Sequence, residues 1–126
     1  MRILMVEDDH VLGGLICDAL RLSNHEVRRV PTSESGVGAV LESRYDVLLL
    51  DLDLGMTRGE AMIQRVRNLG ETLPPIIIWS GQPLNVLTDA AKVTGAAAVL
   101  RKPCTVDELL AAIDQASRSV SDRDSF

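Results

Sequence analysis

The chain has 126 residues, 46% of them hydrophobic, and a net charge of −5, enough for one folded domain with its own core and too apolar for a disordered segment. Eighteen acidic residues against thirteen basic ones argue against a nucleic-acid-binding face on this segment. No apolar run reaches the ~20 residues that span a bilayer. The short apolar start meets acids at Glu7 without a signal-peptide pattern, so a soluble, cytoplasmic protein with no membrane contact is expected.

Aromatic residues are only 2%, namely Tyr45, Trp79 and Phe126, so the core must be aliphatic. Cys17 and Cys104 are far apart and lack metal-ligand spacing, which suits two free thiols in a reducing compartment.

In chain order, the first apolar run, residues 3–6, reads as a strand. Val11, Leu12, Leu15, Ile16, Ala19 and Leu20 then recur at helical spacing. A second strand over 26–30 is more polar and suits a sheet edge. The helix after Thr32 is weak, because Gly36 and Gly38 cost helix propensity. Residues 47–50 form a third strand, and Met62, Ile63, Val66 and Leu69 line the next helix. Residues 76–79 form a fourth strand, ending in Trp79 as core or as partly buried cover. A helix over 84–93 stops at Gly95. The fifth strand is expected over 96–100. The last helix opens after Pro103 with a capping box, Thr105 to Glu108, and carries Val106, Leu109, Leu110, Ile113 and Ala116 on one stripe. Residues 117–126 are polar and serine-rich, so the division expected is a domain over 1–118 and a tail or linker over 119–126.

The strands are continuous apolar runs rather than alternating ones, as in a parallel sheet covered on both faces. Five βα repeats therefore predict an α/β three-layer sandwich. In the flavodoxin-like (βα)5 arrangement the five-stranded parallel sheet has the order 2-1-3-4-5, and ligands sit where that order reverses.

The chemically informative residues follow strand ends: Glu7, Asp8 and Asp9; Asp51 and Asp53; Ser80-Gly81; Lys102-Pro103. Each alone has an ordinary role. Asp9 is a natural N-cap, and the others read as turn residues. Together, at one edge of one sheet, they define a cleft. Carboxylates ~4 Å apart repel by roughly 4 kcal/mol per pair at an effective dielectric of about 20. A proton, Lys102 or a bound cation must offset this. One lysine does not neutralise three acids, and hard oxygen ligands suit Mg²⁺. A carboxylate beside a divalent ion and an ammonium is poised to attack phosphorus, so Asp51 is the candidate nucleophile. Lys102 then neutralises phosphoryl oxygens, and the Ser80 hydroxyl donates to one. His10 reads as a solvated helix start and His25 as a turn residue.

Ile3-Leu4-Met5-Val6-Glu7-Asp8-Asp9, Asp46 through Leu54, Ser80-Gly81, and Gly95-Ala96 leading to Lys102-Pro103 together resemble bacterial response-regulator receiver domains, over about residues 2–117. The resemblance implies a two-component phosphoacceptor that takes a phosphoryl group from a histidine kinase or phosphotransfer protein onto Asp51, with Mg²⁺ as cofactor. It implies Asp8 as a direct metal ligand, Glu7 acting largely through water, Asp51 itself, and the backbone carbonyl of Asp53 as the metal set. Ser80 resembles the switch hydroxyl. Asp53 and Gln82 occupy the positions that tune acyl-phosphate lifetime. Such a module catalyses its own phosphotransfer and dephosphorylation without being a turnover enzyme, and it acts on a downstream partner or an output domain outside this sequence.

Three positions depart from the family pattern. Gly55 stands where proline is usual, which predicts a looser loop. Val99 stands where a switch aromatic is usual, and Cys104 replaces a common phenylalanine. An altered readout on the fourth helix, fifth strand and fifth helix is therefore expected. Two other readings compete. Asp51-Leu52-Asp53 also resembles the nucleophile motif of haloacid-dehalogenase-type phosphohydrolases, but Ser80-Gly81-Gln82 lacks that class's second acidic pair. The alternative is a receiver-like interaction module that is never phosphorylated.

Overall fold

The computed structural model describes residues 1–54 and 57–124, with side chains for all of these except Thr57 and 119–124. The looser loop expected at Gly55 lies outside the described residues, as does Phe126.

The elements run β1 (Arg2–Val6), α1 (His10–Leu22), β2 (Glu26–Val30), α2 (Ser33–Glu42), β3 (Val47–Leu50), β4 (Asp53–Leu54), β5 (Thr57–Arg58), α3 (Gly59–Asn68), β6 (Ile76–Ser80), α4 (Leu84–Thr94), β7 (Ala98–Arg101) and α5 (Val106–Asp124). Five strands form one parallel sheet in the order β2-β1-β3-β6-β7, and β4 and β5 form a separate antiparallel ribbon. Counting only the five long strands, this is the expected 2-1-3-4-5 order.

The continuous apolar runs have the physical origin inferred for them. Along β1, β3 and β6 successive side chains enter opposite cores. Leu4, Val6, Leu48, Leu50, Ile76 and Ile78 pack with Val37, Met62, Ile63, Val66, Leu87 and Ala90 of α2, α3 and α4. Ile3, Met5, Val47, Leu49, Ile77 and Trp79 pack with Cys17 and Leu20 of α1 and Leu109, Ile113 and Ala116 of α5. Each fully buried Leu or Ile contributes about 1.5–3 kcal/mol, so these three strands carry much of the driving force.

The helix boundaries follow their caps. Asp9 Oδ1 accepts from the amides of Val11 and Leu12, both at 3.0 Å. Thr105 and Glu108 form the expected capping box. Gly95 ends α4 with φ 71°, a left-handed conformation that glycine adopts without strain.

Three details differ from the sequence expectation. On α1 the buried face is Gly13, Cys17 and Leu20, while Val11 and Leu15 point outward. The apolar stripe is wider than the seam that the sheet and α5 can cover. Leu69 caps α3 and is exposed rather than core. β7 begins at Ala98, because Ala96 bonds back to Ala91 in the turn after Gly95. No helix among the described residues is long and apolar enough to cross a membrane.

Candidate phosphoacceptor and cation site

Strand register builds the site. Val6 pairs with Leu50, so the next residues, Glu7 and Asp51, leave the sheet side by side. Ser80 pairs with Arg101 across β6 and β7, and the Lys102 amide donates to the Ser80 carbonyl at 2.8 Å. Lys102 therefore emerges beside the Ser80 end of the neighbouring strand. The Lys102-Pro103 peptide bond is cis.

Carboxylate oxygens of Glu7, Asp8 and Asp51 all lie within 4.8 Å of one another. Glu7 and Asp51 are buried, 1% and 4% exposed, while Asp8 is exposed. Lys102 Nζ donates to Glu7 Oε2 at 2.7 Å and to Asp51 Oδ2 at 3.4 Å. The same ammonium lies 4.2 Å from the Trp79 ring centroid, a cation–π contact that holds the chain of the lysine in place. The indole Nε1 of Trp79 is buried without a hydrogen-bond partner among the described residues.

Charge and burial act against each other here. Asp51 is raised to about 6 on balance, with burial the largest cause. The Asp53 amide, which donates to Asp51 Oδ1 at 3.1 Å, pulls it back. The charge on Glu7 raises it further and Lys102 lowers it. Three carboxylates thus share one ammonium, and the donor set is hard oxygen throughout. Among the described residues no protein cation pairs with Asp8. These residues fit Mg²⁺, which favours carboxylates and retained waters.

The remaining candidates surround this cluster. Ser80 is fully buried, and its hydroxyl accepts from the Gln82 amide at 3.3 Å. Gln82 Nε2 donates to both Asp53 oxygens, at 2.9 and 2.8 Å. The Asp53 side chain is thereby held outward, away from the three clustered acids. Val99 is half-buried on β7 and packs against the core beneath α4. Cys104 packs against the core cluster that holds Trp79, and burial raises its thiol pKa above the ordinary value. Cys17 and Cys104 are both free thiols.

Two glycines carry information that sequence reading missed. A Cβ at Gly59 would lie 2.4 Å from the Asp51 carbonyl oxygen and 3.1 Å from Leu50 Cγ. Only a hydrogen lets the first turn of α3 approach that backbone. Gly59→Ala is therefore expected to destabilise the fold by about 1–3 kcal/mol and to weaken Mg²⁺ binding, as read by urea titration and calorimetry. Gly13 is considered further below. A cavity of about 1160 Å³ lies at the opposite edge of the sheet, among Tyr45, Pro74, Pro75 and Gly95. It has no part in this chemistry.

An acidic cluster facing a lysine at the carboxyl edge of a flavodoxin-like sheet defines a class of signalling module. The sequence profile of the response regulator receiver domain matches residues 3–114, and the chain belongs to that family. It is 31% identical over 123 residues to the response regulator protein PmrA of Pseudomonas aeruginosa, covering 98% of this chain and 55% of that protein. It is 33% identical over 112 residues to the transcriptional regulatory protein KdpE of Staphylococcus aureus, covering 89% and 48%. The chain thus spans about half the length of the curated relatives it matches. Among solved structures, the receiver domain of the sensor histidine kinase PA1611 from Pseudomonas aeruginosa superposes with a TM-score of 0.82 at 25% identity, covering 92% of this chain and 96% of that one. That protein was solved with a magnesium ion coordinated in its active site cleft. The signal receiver domain of a Luxo repressor protein from Vibrio parahaemolyticus has a TM-score of 0.87 at 21% identity over 98% of this chain and 94% of that one, a likeness of fold.

Proposed function

We propose that this chain accepts a phosphoryl group on Asp51 from a histidine kinase or phosphotransfer protein, with Mg²⁺ beside it, and changes partner in response. The observation that carries this reading is the convergence of Glu7, Asp8 and Asp51 within 4.8 Å under a lysine that touches two of them.

Asp8, Asp51 and the Asp53 backbone carbonyl would hold the ion, with Glu7 acting through water. Bound there, the ion neutralises charge on the transferring oxygens. The Asp51 carboxylate attacks phosphorus as the bond from phosphorus to the donor breaks, leaving an acyl phosphate. Lys102 turns from Asp51 toward the new phosphoryl oxygens, and the Ser80 hydroxyl donates to another. Asp53 and Gln82 border the path of the water that later hydrolyses the adduct, so they set its lifetime. Val99 replaces the usual ring, so the readout rests on the movement of Ser80 and α4. Residues 1–118 form the receiver unit and 119–126 a polar tail or linker. The module works in the cytoplasm, as an acceptor that serves its own phosphotransfer and dephosphorylation rather than as a turnover enzyme.

The test is incubation with acetyl phosphate and Mg²⁺, followed by intact mass. One phosphoryl adduct is expected on the wild type and none on Asp51→Asn. An unmodified wild type under saturating donor and Mg²⁺ would leave the unphosphorylated interaction module, which the Val99 substitution favours, as the better reading.

A further inference from the structure

β2 is an edge strand, yet one of its side chains reaches into the loop that carries the acids. Arg29 Nη1 donates to the Glu7 carbonyl at 2.6 Å, and Nη2 lies 2.7 Å from His10 Nδ1. The guanidinium therefore bridges both ends of the turn at 7–10, from which the Glu7 and Asp8 side chains project. The room for this arginine comes from α1. A Cβ at Gly13 would sit 2.5 Å from Arg29 Cδ and 3.3 Å from its Nε. Gly14, the next residue, has nothing within 4 Å of the same position. Two adjacent helical glycines thus differ in kind: one admits the arginine stem, and the other only costs helix stability.

We infer that Arg29 is a positioning residue for the cation site, pinning the Glu7–Asp8 turn through a slot that Gly13 keeps open. This rests on the proposed Mg²⁺ site and adds to it a residue that touches neither the ion nor the acids' carboxylates. A ligand loop held by an outer partner loses metal affinity when that partner goes, commonly by tenfold or more.

Arg29 has two separable effects. As a cation near three acids it repels Mg²⁺, so its removal would tighten binding if charge alone mattered. As a clamp on the turn, its removal weakens binding. The sign of the change decides between them.

The experiment is Mg²⁺ titration by calorimetry, beside thermal unfolding in chelator, on the wild type, Gly14→Ala, Gly13→Ala, Arg29→Ala and Arg29→Lys. The double variant Gly13→Ala with Arg29→Ala completes a cycle. The expected Kd rises about tenfold for Arg29→Ala and for Gly13→Ala, with little further change in the double variant. Arg29→Lys falls between, because one ammonium reaches the Glu7 carbonyl or His10 but does not fork between them. Gly14→Ala raises the melting temperature and leaves Kd unchanged. Gly13→Ala keeps the charge and gains helix propensity, so weaker binding at equal or higher stability assigns the effect to position. An unchanged or tighter Kd in Arg29→Ala and Gly13→Ala, with a wild type that binds, overturns the inference alone. A wild type that takes up no Mg²⁺ overturns the functional reading and this one with it.

Discussion

Lys102→Met is expected to cost the fold about 3 kcal/mol at neutral pH in chelator, and much less in saturating Mg²⁺. The methionine keeps most of the aliphatic stem and its packing on Trp79, so the loss isolates the ammonium. Glu7 is 1% exposed, and its partner at 2.7 Å is Lys102. Removing that partner strands a buried carboxylate beside a second one, Asp51. A surface pair would lose at most about 1 kcal/mol by the same change, but here neither acid has water to turn to. A divalent ion held by the same acids would supply the missing charge, which is why the penalty is expected to shrink in Mg²⁺. Urea unfolding of both proteins, with chelator and with Mg²⁺, measures this. A variant within 1 kcal/mol of wild type in chelator would show that the acids are neutralised by something other than Lys102.

Asp51→Asn is expected to stabilise the metal-free protein while abolishing phosphorylation. In the folded chain Asp51 titrates at about 6, against about 4 in an unfolded chain. Between these values the unfolded state has shed its proton and the folded state keeps it. The contribution of this residue is thus fully present below about pH 4 and declines as pH rises, reaching a cost of up to about 3 kcal/mol above pH 6. This is the reverse of the usual salt-bridged aspartate. Asparagine cannot ionise and still accepts from the Asp53 amide. The variant should exceed wild type in urea midpoint at pH 7.5 in chelator, converge with it near pH 4, and lose most of its advantage when the wild type is saturated with Mg²⁺. A less stable Asp51→Asn at pH 7.5 in chelator would place the strain elsewhere than at the acceptor.

Much of the architecture was legible because burial on both faces leaves an unambiguous trace. β1, β3 and β6 lie at the centre of the sheet, and nothing polar interrupts them. The apolar run 96–100 starts β7 too early, because alanine is apolar in a turn as well as in a strand, and Ala96 lies in the turn that follows α4. The outward turn of Val11 and Leu15 was hidden for a related reason: periodicity gives the angle between side chains, not which edge of a wide stripe meets the sheet. The acids, Ser80 and Lys102 were legible because each closes a strand, where chain order alone brings them to one edge. The β4–β5 ribbon left no signal, being only two residues per strand. Arg29 was equally invisible. Its partners Glu7, His10 and Gly13 are 22, 19 and 16 positions away, and an arginine on a polar edge strand looks like any solvated charge. The Gln82–Asp53 bond likewise joins two loops that only the folded sheet brings together.

The two ends of α4 are held very differently. At Thr94 the helix is riveted: Arg67 of α3 donates to the carbonyls of Val93 and Thr94, the Thr94 hydroxyl bonds back to Ala90 at 2.7 Å, and Gly95 closes the last turn. At Leu84, next to the Ser80 loop, the cap is Pro83, which offers no side-chain hydrogen bond. On the proposed phosphoacceptor reading, a displacement at Ser80 would reach α4 first at its Leu84 end, where no side chain caps the helix, while the Thr94 end stays anchored to α3.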